Sequence, residues 1–175
     1  GGTITDSSGN ADLTLPSTSQ PGSLGVNKAI VIDGVAPGAF DTGTVTSVGG
    51  TVVSGKYNST NTSISVTVPI LDDSTLSGGT ITIQSKDASG SFANLKTGVN
   101  ISSINTTQVV SISDTDFEAF SQFGQGDTMS FTAIITDASG NSTTGTTSAS
   151  TLFIDTNAPG AFDTGTVTSV GGTVV

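Results

Sequence analysis

Thr62-Ser63-Ile64-Ser65-Val66-Thr67-Val68-Pro69-Ile70 carries an apolar residue at every second position. Successive side chains of an extended chain point to opposite faces, so Ile64, Val66, Val68 and Ile70 share one face and the hydroxyl residues share the other. That is the pattern of a strand covered on one side only. Working outward, Thr80–Lys86 repeats it with Ile81 and Ile83 inward, and Thr128–Thr136 repeats it with Phe131, Ala133 and Ile135. Gln108–Ser113 reads as a further strand, and a weaker one lies within 92–101. A first strand covers Thr44–Val53, with a bulge or bend at Gly49-Gly50, and Thr143–Asp155 closes the series with Leu152 and Ile154.

About seven short strands separated by Gly, Ser, Asn and Asp turns describe an all-β, immunoglobulin-like β-sandwich. One short helix interrupts them. Thr115-Asp116-Phe117-Glu118 has the spacing of a capping box, which puts Phe117 and Phe120 on one face of the next turns, as a plug over one end of the sandwich.

The composition agrees. Of 175 residues, 31 are Thr, 26 Ser and 23 Gly. Threonine is β-branched, while serine and glycine weaken helix interiors. The chain has no His, Cys, Arg or Trp, and its 14 acidic residues against 4 lysines give a net charge of -10. Ser-His-Asp and Cys-His catalytic sets and thiolate–imidazole zinc sites are therefore excluded. A nucleic-acid partner is excluded by the sign of the field, and membrane insertion by the lack of any apolar run near 20 residues. Paired carboxylates such as Asp72-Asp73 could be imagined cleaving a glycosidic bond, but a sugar site wants aromatic platforms, and Tyr57 is the sole tyrosine. The chain reads as no enzyme.

The most specific signal is internal. Ala36-Pro37-Gly38-Ala39-Phe40-Asp41-Thr42-Gly43-Thr44-Val45-Thr46-Ser47-Val48-Gly49-Gly50-Thr51-Val52-Val53 returns letter for letter as Ala158–Val175, 122 positions later. Ile4-Thr5-Asp6-Ser7-Ser8-Gly9-Asn10 also matches Ile135-Thr136-Asp137-Ala138-Ser139-Gly140-Asn141 at all but one position, at an offset of 131. A period of this size means a tandem array of units. Residues 1–33 read as the closing strands of one unit, 37–155 as a complete unit and 159–175 as the first strand of a third.

Ile135–Asn141 followed by Phe153-Ile154-Asp155-Thr156-Asn157-Ala158-Pro159 resembles the Ig-like tandem extender repeats of large bacterial surface adhesins. The latter stretch also looks like a cadherin linker. The resemblance implies an exported, cell-surface protein, a string of spacer domains whose partners are neighbouring repeats, and calcium stiffening the junctions. The first junction, Ile32-Asp33-Gly34-Val35-Ala36-Pro37, departs from the pattern in having Val35 where Asn157 stands.

A sandwich of this topology returns its second-to-third and sixth-to-seventh loops to the entry end. Asp72, Asp73 and Asp137 are thus expected beside Asp33, while Asp155 stands at the exit end with Asp87, Asp114, Asp116, Glu118 and Asp127. Carboxylates gathered without a cation repel one another, and a calcium ion reverses the sign, accepting about 6–8 oxygen ligands. The expected metal ligands are Asp33, Asp72, Asp73, Asp137 and Asp155. Turn aspartates that merely solvate the chain are the plainer alternative.

Three functions compete on these grounds. One is a structural spacer. Another is a filament or sheath subunit whose incomplete ends are completed by other copies of the chain, and the third is a calcium-dependent glycan-binding module.

Overall fold

The computed structural model describes residues 32–166, together with 5, 6, 9, 10, 17, 19–21, 23, 171 and 172. The chain divides into two compact units, Gly1–Val35 and Ala36–Val175. In the first, β1 (Thr5–Asp6) and β2 (Gly9–Asn10) form a small antiparallel hairpin. The remainder of that expected closing segment lies largely outside the described residues.

The second unit is an all-β sandwich. Its strands are β3 (Val45–Val48), β4 (Lys56–Tyr57), β5 (Ser63–Ile70), β6 (Thr80–Lys86), β7 (Ala93–Asn100), β8 (Thr106–Ser113), β9 (Thr128–Thr136), β10 (Ser142–Thr144) and β11 (Leu152–Ile154). One sheet has the order β3-β5-β8; the other runs β4-β11-β9-β6-β7, with β10 also on β9. The central strand β5 pairs along its whole length with β8, from Ser63 opposite Ser113 to Ile70 opposite Thr106. Likewise β6 pairs with β9 from Thr80 opposite Thr136 to Lys86 opposite Ser130.

The alternation decides which side is covered. In β5 the residues Ile64, Val66, Val68 and Ile70 are buried, as are Ile81 and Ile83 of β6 and Phe131, Ala133 and Ile135 of β9. They join Val45, Val110, Ile112, Leu152 and Ile154 in one apolar core between the two sheets. Each of the larger of these side chains, the valines, isoleucines, Leu152 and Phe131, contributes about 1.5–3 kcal/mol on burial. The faces turned to water hold the hydroxyls, some paired across strands, as Thr46 with Ser65 at 2.8 Å. Such pairs suit a pleated surface.

Three expectations need correction. Thr44–Val53 is not one bent strand. At Gly49 (φ 80°) and Gly50 (φ 57°) the backbone enters the left-handed region that side chains resist, and the chain crosses to the other sheet, where β4 runs parallel to β11. The closing strand is likewise broken in two, β10 and β11 both lying on β9. These two breaks turn about seven strands into the nine described in the second unit.

The third correction concerns the helix. Its residues are Asp114–Glu118 (α1), and its cap is Ser113, whose hydroxyl accepts the Asp116 N–H at 3.1 Å. The capping box expected at Thr115 is displaced by two residues because Glu118 is engaged elsewhere: it accepts the Tyr57 hydroxyl at 3.0 Å. The plug itself is present. Phe117 is fully buried, with ring centroids 5.0 Å from Tyr57 and 5.2 Å from Phe123 in edge-to-face contacts. Burial is the main cause that pushes the Tyr57 phenol far above its ordinary range, followed by its bond to Glu118 and the nearby carboxylate charges.

Candidate functional site: the two ends of the sandwich

Strand β9 separates the aspartates. Asp127 precedes it and Asp137 follows it, so the loops at its two ends face opposite poles of the unit. Asp72, Asp73 and Asp137 fall at one pole and Asp155 at the other. Asp33 belongs to the first unit, where its carboxylate accepts the Val35 N–H at 3.1 Å.

At the first pole the two loops are tied together: the Ala138 N–H donates to the Thr75 carbonyl at 3.1 Å. Asp73 caps a 3-10 turn at Ser74–Leu76, its Oδ1 accepting the Thr75 N–H at 2.9 Å and the Thr75 hydroxyl at 2.7 Å. Asp72 beside it is exposed.

Asp137 is 4% exposed, and its carboxylate is consumed by its own loop. Oδ1 accepts the N–H groups of Ser139 at 2.8 Å and Asn141 at 2.9 Å, and Oδ2 accepts the Asn141 side-chain amide at 3.0 Å. Burial, the largest single influence, pushes this carboxyl up. The bonds from the Asn141 side chain and from the N–H groups of Asn141, Ser139 and Gly140 together outweigh it, and the group is held below the usual carboxylate range.

At the second pole Asp155 is exposed and accepts the Gln125 amide at 3.1 Å. The other end of Gln125 accepts the Thr156 N–H at 2.7 Å and its hydroxyl at 2.9 Å, so one glutamine fastens both residues that leave β11. Other acids there are engaged one by one. Asp116 pairs with Lys96 at 2.9 Å, which draws its carboxyl down. Asp87 accepts the N–H groups of Gly90 and Ser89, with the same effect.

Among the described residues no three His, Cys, Asp or Glu come together in a group that could hold a metal. Asp73 and Asp137 already serve turns, and a cation would have to compete with N–H donors for their oxygens. Asp72 and Asp155 are exposed, at opposite poles.

Sequence reasoning passed over Asn141, Gln125 and Thr75 as partners of these acids. A signal was available for the turn at Asp137 itself. The tetrapeptide Asp-Ala-Ser-Gly occurs twice, at 87–90 and 137–140. In both places the aspartate accepts the N–H of the serine two residues on, at 2.8 Å. This is the Asx turn, in which a short carboxylate imitates a backbone carbonyl.

The pole that receives Ala36–Val48 is built with similar economy. The Thr143 hydroxyl donates to the Pro37 carbonyl, the Thr146 N–H to the Phe40 carbonyl at 3.1 Å, and the Thr146 hydroxyl to Asp41 at 2.7 Å. Buried Thr42 accepts the Ala133 N–H on its hydroxyl at 3.0 Å.

No family model matches the chain, and no curated protein matches it either. No helix among the described residues is long and apolar enough to cross a membrane.

Proposed function

We propose that this chain is a stretch of a tandem array of immunoglobulin-like units that serves as a spacer in an extracellular, cell-surface adhesin. The observation that carries this reading is the 18-residue stretch Ala36–Val53, repeated as Ala158–Val175. In its first occurrence it supplies the opening strand of a folded sandwich, with Pro37, Phe40 and Val45 buried. A sequence that opens one unit and recurs just past that unit's last strand is the mark of an array whose members follow one another. The strand pairing supports the immunoglobulin-like assignment, with β3, β5 and β8 in one sheet and β6, β7, β9 and β11 in the other.

A spacer is asked for length and firmness. Strands of eight or nine residues rising about 3.3 Å each give a body roughly 30 Å long before its loops are added. The two poles are where neighbouring units, the proposed partners, would meet. Calcium is proposed there on the strength of exposed Asp72 and Asp155, one at each pole, with ligands drawn from both sides of a junction.

Small-angle scattering on a chain of several consecutive units tests the reading. The maximum dimension should grow by a constant increment per unit, and calcium should lengthen the chain relative to chelator. A dimension that does not grow linearly with unit number would sink the spacer. A calcium-independent dimension would sink only the stiffening.

A further inference from the structure

One sheet of the sandwich ends in β3 and β8, the other in β4 and β7. Three of these four edges are blunted. β3 has four residues and β4 two, while β7 carries a charge at Lys96, a left-handed glycine at Gly98 (φ 67°) and two register shifts against β6. Shortness, charge and irregularity of this kind keep an edge from adding a foreign strand. β8 has none of them. Its eight residues, Thr106-Thr107-Gln108-Val109-Val110-Ser111-Ile112-Ser113, hold no charge and no proline in a chain of net charge -10, and they pair with β5 without a shift.

The free side of β8 follows from the alternation of an antiparallel ladder. Thr67 of β5 turns its N–H to the Thr44 carbonyl, on the β3 side, so its neighbours Val66 and Val68 serve β8, where they stand opposite Val110 and Gln108. The N–H and C=O groups of Thr107, Val109, Ser111 and Ser113 therefore point away from β5. Among the described residues β8 has no second strand beside it. The side chains of the same four residues are exposed, that of Val109 by 59%.

We propose that β8 is an interaction edge that pairs antiparallel with β8 of a second copy of the chain, joining two three-stranded sheets into one of six strands. Thr107 then stands opposite Ser113 of the second copy, and Val109 opposite its Ser111. Each such pair exchanges two hydrogen bonds, so the four pairs make about eight. Charge argues for a copy as the occupant. Two chains of this sign repel wherever their carboxylates meet, but β8 brings none to the contact, and no like charges oppose one another across the ladder. The pairing is the same seen from either copy, so it closes as a twofold dimer and does not propagate. Eight residues a side fall short of the roughly 20–30 of a stable complex, which makes the dimer weak, with Kd on the order of 0.1–1 mM.

Sedimentation equilibrium of the unmodified chain, taken to about 2 mM, should show a monomer–dimer equilibrium. Val109→Lys/Ser111→Lys sets lysine opposite lysine at two places in the ladder and should weaken the dimer at least about 10-fold. Both positions are exposed, so the urea midpoint should stay where it was. The two lysines also reduce the net negative charge, so association driven by anything but this edge would strengthen.

The register has its own readout, because the chain holds no cysteine. Opposed residues of a hydrogen-bonded pair lie about 5.5 Å apart at Cα, within reach of a disulfide. Under mild oxidation an equimolar mixture of Val109→Cys and Ser111→Cys chains should give crosslinked dimer faster than either chain alone. A chain that stays monomeric over the whole concentration range overturns the proposal. So does association that the two lysines leave unchanged, or crosslinking no faster in the mixture than in the separate chains.

Discussion

Residues 36–44 and 158–166 spell the same nine letters. In the first set Pro37, Phe40 and Thr42 are buried, and Gly43 is pressed against Thr67; in the second every residue is exposed, and Gly165 has nothing within 4 Å of where a Cβ would stand. The difference lies in what each stretch meets. The first finds the free edge of β5 and the hydroxyls at Thr143, Thr146 and Ser148. The second follows β11 past Asp155, and its described residues from Ala158 to Thr166 are all exposed. A run of small residues with one phenylalanine has little apolar area of its own, so the order of residues 36–44 is a property of the receiving edge.

Matched substitutions in the two copies should break this comparison or sharpen it. Phe40→Ala should cost about 3 kcal/mol in urea unfolding, whereas Phe162→Ala should stay within about 0.5 kcal/mol of the unmodified chain. Equal effects would mean that both copies are packed in solution. Next in size, Gly43→Ala should cost about 2 kcal/mol, because its Cβ would lie 2.2 Å from the Thr67 hydroxyl and 2.8 Å from the Thr67 carbonyl oxygen. Gly165→Ala should be neutral by the same assay.

Smaller again, Thr42→Val removes the acceptor of the buried Ala133 N–H and should cost about 1 kcal/mol, while Thr164→Val should cost nothing measurable. A thermal melt that shifts equally for both would count against the Ala133 bond.

The smallest effect should come from acid. Asp137 shapes the turn that leads into β10, and β10 carries the Thr143 hydroxyl that holds Pro37. Its carboxyl lies below the ordinary value in the folded chain, so folding favours the ionised form. The contribution is complete above about pH 4 and is lost as pH falls through the depressed folded value. Asp137→Asn should therefore flatten the acid limb of a stability-versus-pH curve. An unchanged limb would show that the turn does not depend on the charge.

Much of the sandwich is legible in the letters, because alternation is local. Ile64 through Ile70, Ile81 with Ile83, and Phe131 through Ile135 announce both their strands and the buried face. What alternation does not contain is the identity of partners distant along the chain. Gly49-Gly50 reads as a bend, but that the chain changes sheets there depends on β11, about a hundred residues further on. The helix start depends on a distant partner too, since Glu118 is taken by Tyr57 from across the core and Ser113 caps instead of Thr115.

The aspartates divide between the poles as strand order requires. Whether a given one faces solvent or closes a turn depends on the residues two to four positions on, as Asn141 does for Asp137.

The parallel pairing of β4 with β11 has a mechanical consequence. Phe153 N–H bonds to the Gly55 carbonyl at 2.9 Å and Asp155 N–H to the Tyr57 carbonyl at 2.8 Å, just where the chain leaves the unit. Tension entering at Ala36 and leaving at Asp155 pulls these two strands along their length in opposite senses. Their bonds are then loaded together in shear instead of opening one after another. In a pulled array the unit should give way in a single step at high force, and force–extension traces that show gradual peeling would argue against it. The glycine crossing that sends the chain from one sheet to the other thus also determines how the unit would carry a load.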